Sequence, residues 1–132
     1  KYLTNGCSWQ IPLINPKLFN SDISFQTKHR LLSYHVYILT NQHKSVLYTG
    51  VTNYLARRLH EHNENILTKK KTFAAKYNCR HLVYHEKFTW VQEAISREKE
   101  IKGWRREKKM NLIKTINPQL NFLEYLFPFE RQ

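Results

Sequence analysis

The chain has 132 residues, 41% of them hydrophobic, and a formal net charge of +12. That length suits one domain with a modest core, and that charge draws polyanions, either nucleic acid or an anionic surface. No apolar run approaches the roughly 20 residues of a membrane span, which sets a transmembrane role aside and leaves no membrane partner expected. Charge alone also fits a basic protein that is merely soluble or ribosome-associated. No charged-then-apolar leader is present, and the start at Lys1 without methionine reads as the start of a fragment. Cys7 and Cys79 are isolated and lack metal-type spacing, so free thiols in a reducing, cytoplasmic setting are expected.

Residues 1–33 form an extension without a sustained period, interrupted by Pro12 and Pro16. Trp9, Ile11, Leu13 and Ile14 either pack on the domain or belong to a mobile segment, and no function is assigned to them. Tyr34 to Leu39 then reads as a strand, Thr40 to Ser45 as a polar loop, and Val46 to Val51 as a second strand, making a hairpin. Tyr37 and Tyr48 sit near the strand centres, and Gly50 stands where the second strand ends. Asn53 is the expected N-cap of a basic helix from Tyr54 to about Glu64. With about 100° of turn per residue, Leu55 and Leu59 define its buried stripe. Arg58 and His62 fall beside that stripe, whereas Arg57, His60 and Glu61 point away.

Asn63 to Asn78 is polar and lysine-rich, with Phe73-Ala74-Ala75 as its apolar anchor, and a loop with a short helix is expected. Lys69, Lys70, Lys71 and Lys76 either face phosphates or are simply solvated. His81 to Phe88 reads as a third strand with Leu82, Tyr84, Glu86 and Phe88 on one face. Thr89 and Gln92 have the form of a capping box, opening a helix that runs to Lys102 and stops at a left-handed Gly103. Its apolar stripe is Val91, Ala94, Ile95 and Ile101, and Glu98 projects into the middle of it, away from Glu93 and Glu100. An inward carboxylate is costly unless it is paired or binds a metal. A structural salt bridge to a buried arginine is the competing explanation.

A last helix, about Arg105 to Thr115, carries Arg105, Arg106, Lys108 and Lys109 on its early turns and Leu112, Ile113 and Ile116 inward. Pro118 ends it by disfavouring helical geometry at Asn117. The tail, residues 121–132, interleaves aromatic and acidic residues, among them Phe122, Glu124, Tyr125, Phe127 and Phe129. It suits packing on the domain or on a partner.

The pair His35-Val36-Tyr37 and Tyr48-Thr49-Gly50, with Arg58 ten residues after Tyr48 and Glu98 downstream, resembles the signature of the GIY-YIG nucleases. The resemblance runs from residue 34 to about 120, roughly two thirds of the chain, and is closest to small stand-alone members. It implies an α/β (α+β) domain, a three-stranded, mainly antiparallel sheet flanked by helices. It implies a Mg²⁺- or Mn²⁺-dependent endonuclease that hydrolyses phosphodiester bonds in DNA or structured nucleic acid. By the same resemblance Tyr37 acts as or assists the general base, and Tyr48 positions water or phosphate. Arg58 holds the scissile phosphate, Glu98 ligates the metal, and His62 matches a histidine near the phosphate in some members. His35, Gly50 and Asn117 fall at the site's edge. Two departures stand out: His35 replaces the first-motif glycine, and Val51 stands where some members have lysine.

These residue types suit the chemistry. Hydrolysis requires a deprotonated, aligned water, a neutralised transition-state charge and a stabilised departing oxygen. One carboxylate suits Mg²⁺, which keeps several waters, and a guanidinium matches phosphate geometry. Tyrosine is a poor base at its usual pKa of about 10, and Arg58 together with a metal is expected to lower that value. For Tyr37 and Tyr48 the plainer alternative is ordinary strand core. Two rival functions stay open: a nucleic-acid-binding module with little catalysis, carried by the basic clusters, and a basic adaptor that docks a protein through its aromatic tail. Substrate preference and any protein partner are undefined by these residues.

Overall fold

The computed structural model describes residues 33–129. Cys7, Trp9, Ile11, Pro12, Leu13, Ile14, Pro16 and residues 130–132 of the tail lie outside the described residues. The elements are β1 (Tyr34–Thr40), β2 (Leu47–Thr52), α1 (Leu55–Leu67), α2 (Phe73–Lys76), β3 (His81–Phe88), α3 (Val91–Lys102) and α4 (Arg106–Ile116), followed by a short 3₁₀ turn, Glu124–Leu126. The three strands form an antiparallel sheet in the order β2-β1-β3, flanked by the helices, an α+β fold.

β1 is the middle strand, and Val36, Tyr37, Ile38 and Leu39 are all fully buried. A strand covered on both faces loses the apolar–polar alternation of a half-solvated one, which is why its sequence is a continuous run. Asn41 holds the hairpin loop. Its Oδ1 accepts from the N–H groups of Ser45 (2.8 Å) and Val46 (3.3 Å), and its amide donates to Ser45 Oγ at 2.9 Å. Lys44 takes the left-handed position, φ 59°. Arg106 at the start of α4 clamps the loop from outside, donating to the carbonyls of Ser45 (2.9 Å) and Lys44 (2.8 Å).

One apolar layer gathers Val36, Ile38 and Val51 with Ala94 and Ile101 of α3 and Ile113 of α4. The other gathers Tyr37, Leu39, Tyr48 and Leu82 with Leu55 of α1, Ala74 of α2 and Cys79. The expectation that Leu82 and Tyr84 share a face is corrected. Ile38 pairs with Tyr84 but Leu39 pairs with Leu82, so an irregularity at Val83 shifts the register by one residue. Such a bulge reverses the facing of everything beyond it. Asn117 pins the bulge: its amide donates to the carbonyls of Val83 and Asn121, each at 2.9 Å, and its Oδ1 accepts from Asn121 N–H at 2.9 Å.

Three expected helix signals are replaced by others. Tyr54, not Asn53, stands at the N-cap of α1; Asn53 Oδ1 accepts from Arg57, and Thr52 Oγ1 takes the Tyr54 N–H at 3.2 Å. Trp90, without a side-chain cap, precedes α3 in place of the Thr89–Gln92 box. Gly103 lies at φ −80°, in the right-handed region. Its N–H reaches Lys99 and Glu100 carbonyls, and the chain passes straight through Trp104 into α4 without needing a left-handed reversal. On α4 Ile113 is buried as expected, whereas Ile116, on the last turn, is 55% exposed. The tail packs on the domain. Leu123 N–H donates to the Leu82 carbonyl at 2.7 Å, Phe122 stacks on His81, Phe127 meets His35 and His85 edge-on, and Phe129 stacks on His60.

Candidate active site

The site begins with a missing side chain. Gly50 is the cross-strand partner of Tyr37, and a Cβ at Gly50 would lie 2.5 Å from Tyr37 Oη and 2.6 Å from its Cζ. The Tyr37 ring therefore lies across the second strand and reaches α1, where its hydroxyl is 2.9 Å from His62 Nε2. The helical spacing read from the sequence accounts for this meeting. His62 is seven residues, two turns, beyond buried Leu55, and Arg58 is one turn before His62. The Arg58 side chain is 12% exposed against 44% for Arg57, and Arg58 Nη1 donates to Glu61 Oε1 at 2.7 Å. Tyr48 closes the group, its ring centroid 5.3 Å from His62 and 6.4 Å from Tyr37.

Glu98 approaches from α3, near enough to Tyr37 for its charge to act on the phenol. It is 1% exposed, and its Oε2 lies 3.1 Å from Lys102 Nζ one helical turn on, without hydrogen-bond geometry. The competing explanation for an inward carboxylate was an arginine partner, and that arrangement occurs elsewhere: Arg97 grips Glu86 with Nε–Oε1 at 2.9 Å and Nη2–Oε2 at 3.2 Å. Lys102 Nζ also stands 5.9 Å from the Tyr48 ring centroid, linking the carboxylate to the tyrosine cluster.

The protonation states differ from the sequence expectation. Burial raises the Tyr37 pKa to about 12, outweighing the downward pull of Arg58 charge and hydrogen bonding, while Glu98 and Glu61 push it further up. Burial, then Arg58, lowers His62 to about 3. The phenol is thus the donor and neutral His62 Nε2 the acceptor. Arg58 acts in the expected direction and loses to desolvation. His35 is held near 4 by burial, then by His85 and Lys87. Its ring faces His85 and Phe127, at 6.2 and 5.9 Å between centroids, and its Nδ1 is buried without a hydrogen-bond partner.

The remaining candidates divide. Asn117 is engaged with backbone at the β3 bulge, as described above. Lys69, Lys70, Lys71 and Lys76 are exposed around α2, whose Phe73 stacks on Tyr48 at 6.2 Å and meets the Tyr77 ring at a tilt, 4.9 Å between centroids. Arg105, Arg106 and Lys108 are exposed at the start of α4. Lys108 lies 4.3 Å from the Trp104 ring, and the Lys109 pKa is lowered by burial and by Lys102 and Arg106. Two basic segments therefore adjoin the cluster, one through Phe73 and one through Lys102. Sequence reasoning missed Lys102 and gave Phe73 only a packing role. The signal for Lys102 was present, since a lysine four residues after a glutamate shares its helix face.

Among the described residues no group of three or more His, Cys, Asp and Glu side chains is placed to hold a metal. A buried carboxylate oxygen without a hydrogen bond, Glu98 Oε2, fits a different kind of site. There one carboxylate anchors a hard cation, and water and substrate phosphate complete its shell. No helix among the described residues is long and apolar enough to cross a membrane.

Residues 33–111 match the family described as the GIY-YIG catalytic domain. The chain is 38% identical over 82 residues to UPF0213 proteins of Staphylococcus aureus strains Mu3 and N315, covering 62% of this chain and 95% of theirs. It is also similar to a UPF0213 protein of Bacillus halodurans solved by NMR, at 28% identity over 67% of this chain and 89% of that one, with a TM-score of 0.44.

Proposed function

The chain belongs to the GIY-YIG catalytic domain family, a nuclease superfamily, and from that premise we propose that it is an endonuclease hydrolysing phosphodiester bonds in nucleic acid, DNA first, with one divalent cation at Glu98. The observation that carries this reading is the meeting of Tyr37, Tyr48, Arg58 and His62 beside a buried carboxylate from a distant helix. Arg58 binds the scissile phosphate through its planar fork. Water gives its proton to Tyr37 Oη as the phenol passes its own proton along the 2.9 Å hydrogen bond to His62 Nε2. The resulting hydroxide attacks phosphorus, the P–O3′ bond breaks, and the 3′ oxygen leaves with its electron pair and takes a proton from solvent water, while the His62 imidazolium, a strong acid here, gives its proton back to solvent. A relay of this kind lets a buried phenol with a high pKa take part without standing as a free phenolate. Mg²⁺ or Mn²⁺, when bound, supplies positive charge to the phosphate and the leaving oxygen. Lys69, Lys70, Lys71, Lys76, Arg105, Lys108 and Lys109 supply phosphate contacts along the two basic segments, and Arg106 adds its charge while holding the hairpin loop.

The test is cleavage of plasmid and oligonucleotide with and without Mg²⁺. Glu98→Ala and Tyr37→Phe are each expected to slow cutting by about 10²–10³-fold while binding persists. Wild type cutting no faster than Glu98→Ala would end the enzyme reading. One observation favours a second reading, a binding module with little catalysis: Tyr37 and Glu98 are both almost wholly inaccessible. Salt-sensitive binding without Glu98-dependent cleavage is its signature.

A further inference from the structure

Glu98 is 1% exposed, and a carboxylate buried to that depth calls for a counter-charge beside it. Lys102 supplies that charge from the next turn of α3, at 3.1 Å from Oε2. Oε2 is also the oxygen that makes no hydrogen bond, so the ammonium stands where a metal would approach. Resting on the assignment of Glu98 as metal ligand, we infer that Lys102 is the resident cation of this site and that a divalent cation binds Glu98 only by displacing it. A hard metal sits about 2.1 Å from a carboxylate oxygen, and an ammonium on the same oxygen would face it as a close like charge.

Lys102 is built to leave. Its side chain is 20% exposed, and a four-carbon stem can rotate its head group into water without moving the helix. The displaced head group moves toward Lys109, on which Lys102 and Arg106 both already act through charge. Crowding three cations there is unfavourable until a polyanion neutralises them. Nucleic acid and divalent cation therefore favour the same displaced lysine, and each raises the other's affinity.

The test uses Mn²⁺ alone, titrated into the full chain and followed by loss of the free-ion paramagnetic resonance signal, with Glu98→Gln defining site-specific binding. Lys102→Met keeps the stem and removes the charge. It is expected to bind Mn²⁺ about tenfold more tightly than wild type, and to melt at a lower temperature without Mn²⁺ but recover with it. Lys102→Arg, whose fork grips a carboxylate more firmly, is expected to bind Mn²⁺ more weakly. Equal or weaker binding by folded Lys102→Met overturns the inference. Should that variant not fold, equal or tighter binding by Lys102→Arg overturns it, and so does absence of Glu98-dependent binding in every protein. Cutting plays no part in these readouts. Tighter binding in a chain that does not cut upholds the lysine's role and removes the nuclease proposal. Glu98-dependent cutting with unchanged Mn²⁺ affinity does the reverse.

Discussion

Gly50 shows how much one missing side chain can set. Alanine there would place a carbon 2.5 Å from the hydroxyl of Tyr37, a ring that is fully buried and held at its tip by His62. Gly50→Ala is expected to lower stability by about 1–3 kcal/mol through overpacking, read as a reduced urea midpoint at unchanged slope. An unchanged midpoint would mean that the ring has room to move. The buried histidines give a second prediction. His62 and His35 have folded pKa values near 3 and 4, below the ordinary 6.5, so the unfolded chain binds protons first. Their contribution to stability is complete above about pH 6.5 and is lost as pH falls toward 4 and 3. His35→Phe, set against Phe127, is expected to flatten the fall in urea midpoint between about pH 7 and 4.5; an equally steep fall would count against it. The positions of Tyr37 and His62 were legible from motif spacing and helical period. Their protonation was not, because burial is summed over neighbours from several elements.

Among the elements, β3 carries the feature that local pattern missed. Its letters alternate well enough to suggest one apolar face, yet the register shift at Val83 puts Leu82 in one layer and Tyr84 in the other. Asn117, from beyond the end of α4, holds the irregular backbone with its side-chain amide. Asn117→Ala leaves the Val83 carbonyl and Asn121 backbone groups short of partners, and a loss of about 1–3 kcal/mol is expected by chemical denaturation. A loss under a few tenths would show that water replaces the amide. The helices tell a similar story at their ends. α1 and α3 form where their apolar periods begin, but the expected caps Asn53 and Thr89 are passed over. A cap is worth only about 1 kcal/mol, so the path by which a strand enters a helix readily overrides it.

For the molecule as a whole, charge governs encounter. With a net charge of +12, nucleic-acid binding should weaken steeply with salt. Each phosphate contact contributes about 0.9 to the log–log slope. Replacing Lys69, Lys70 and Lys71 together by Gln is expected to lessen the slope by up to about 3. An unchanged slope would show that these side chains are solvated and not in contact with phosphate.

What the sequence determined by itself was the hairpin, the inward faces of α1 and α3 and the spacing of the signature. These depend on strand propensity and helical period, which act over a few neighbouring residues. The tertiary structure alone decided that Gly50 makes room for the Tyr37 hydroxyl, that desolvation outweighs Arg58 there, and that Lys102 sits against Glu98. It also decided that the tail folds back over His81, His35 and His60. Each of these depends on burial and on charges brought together from distant parts of the chain, and no local window of residues contains them.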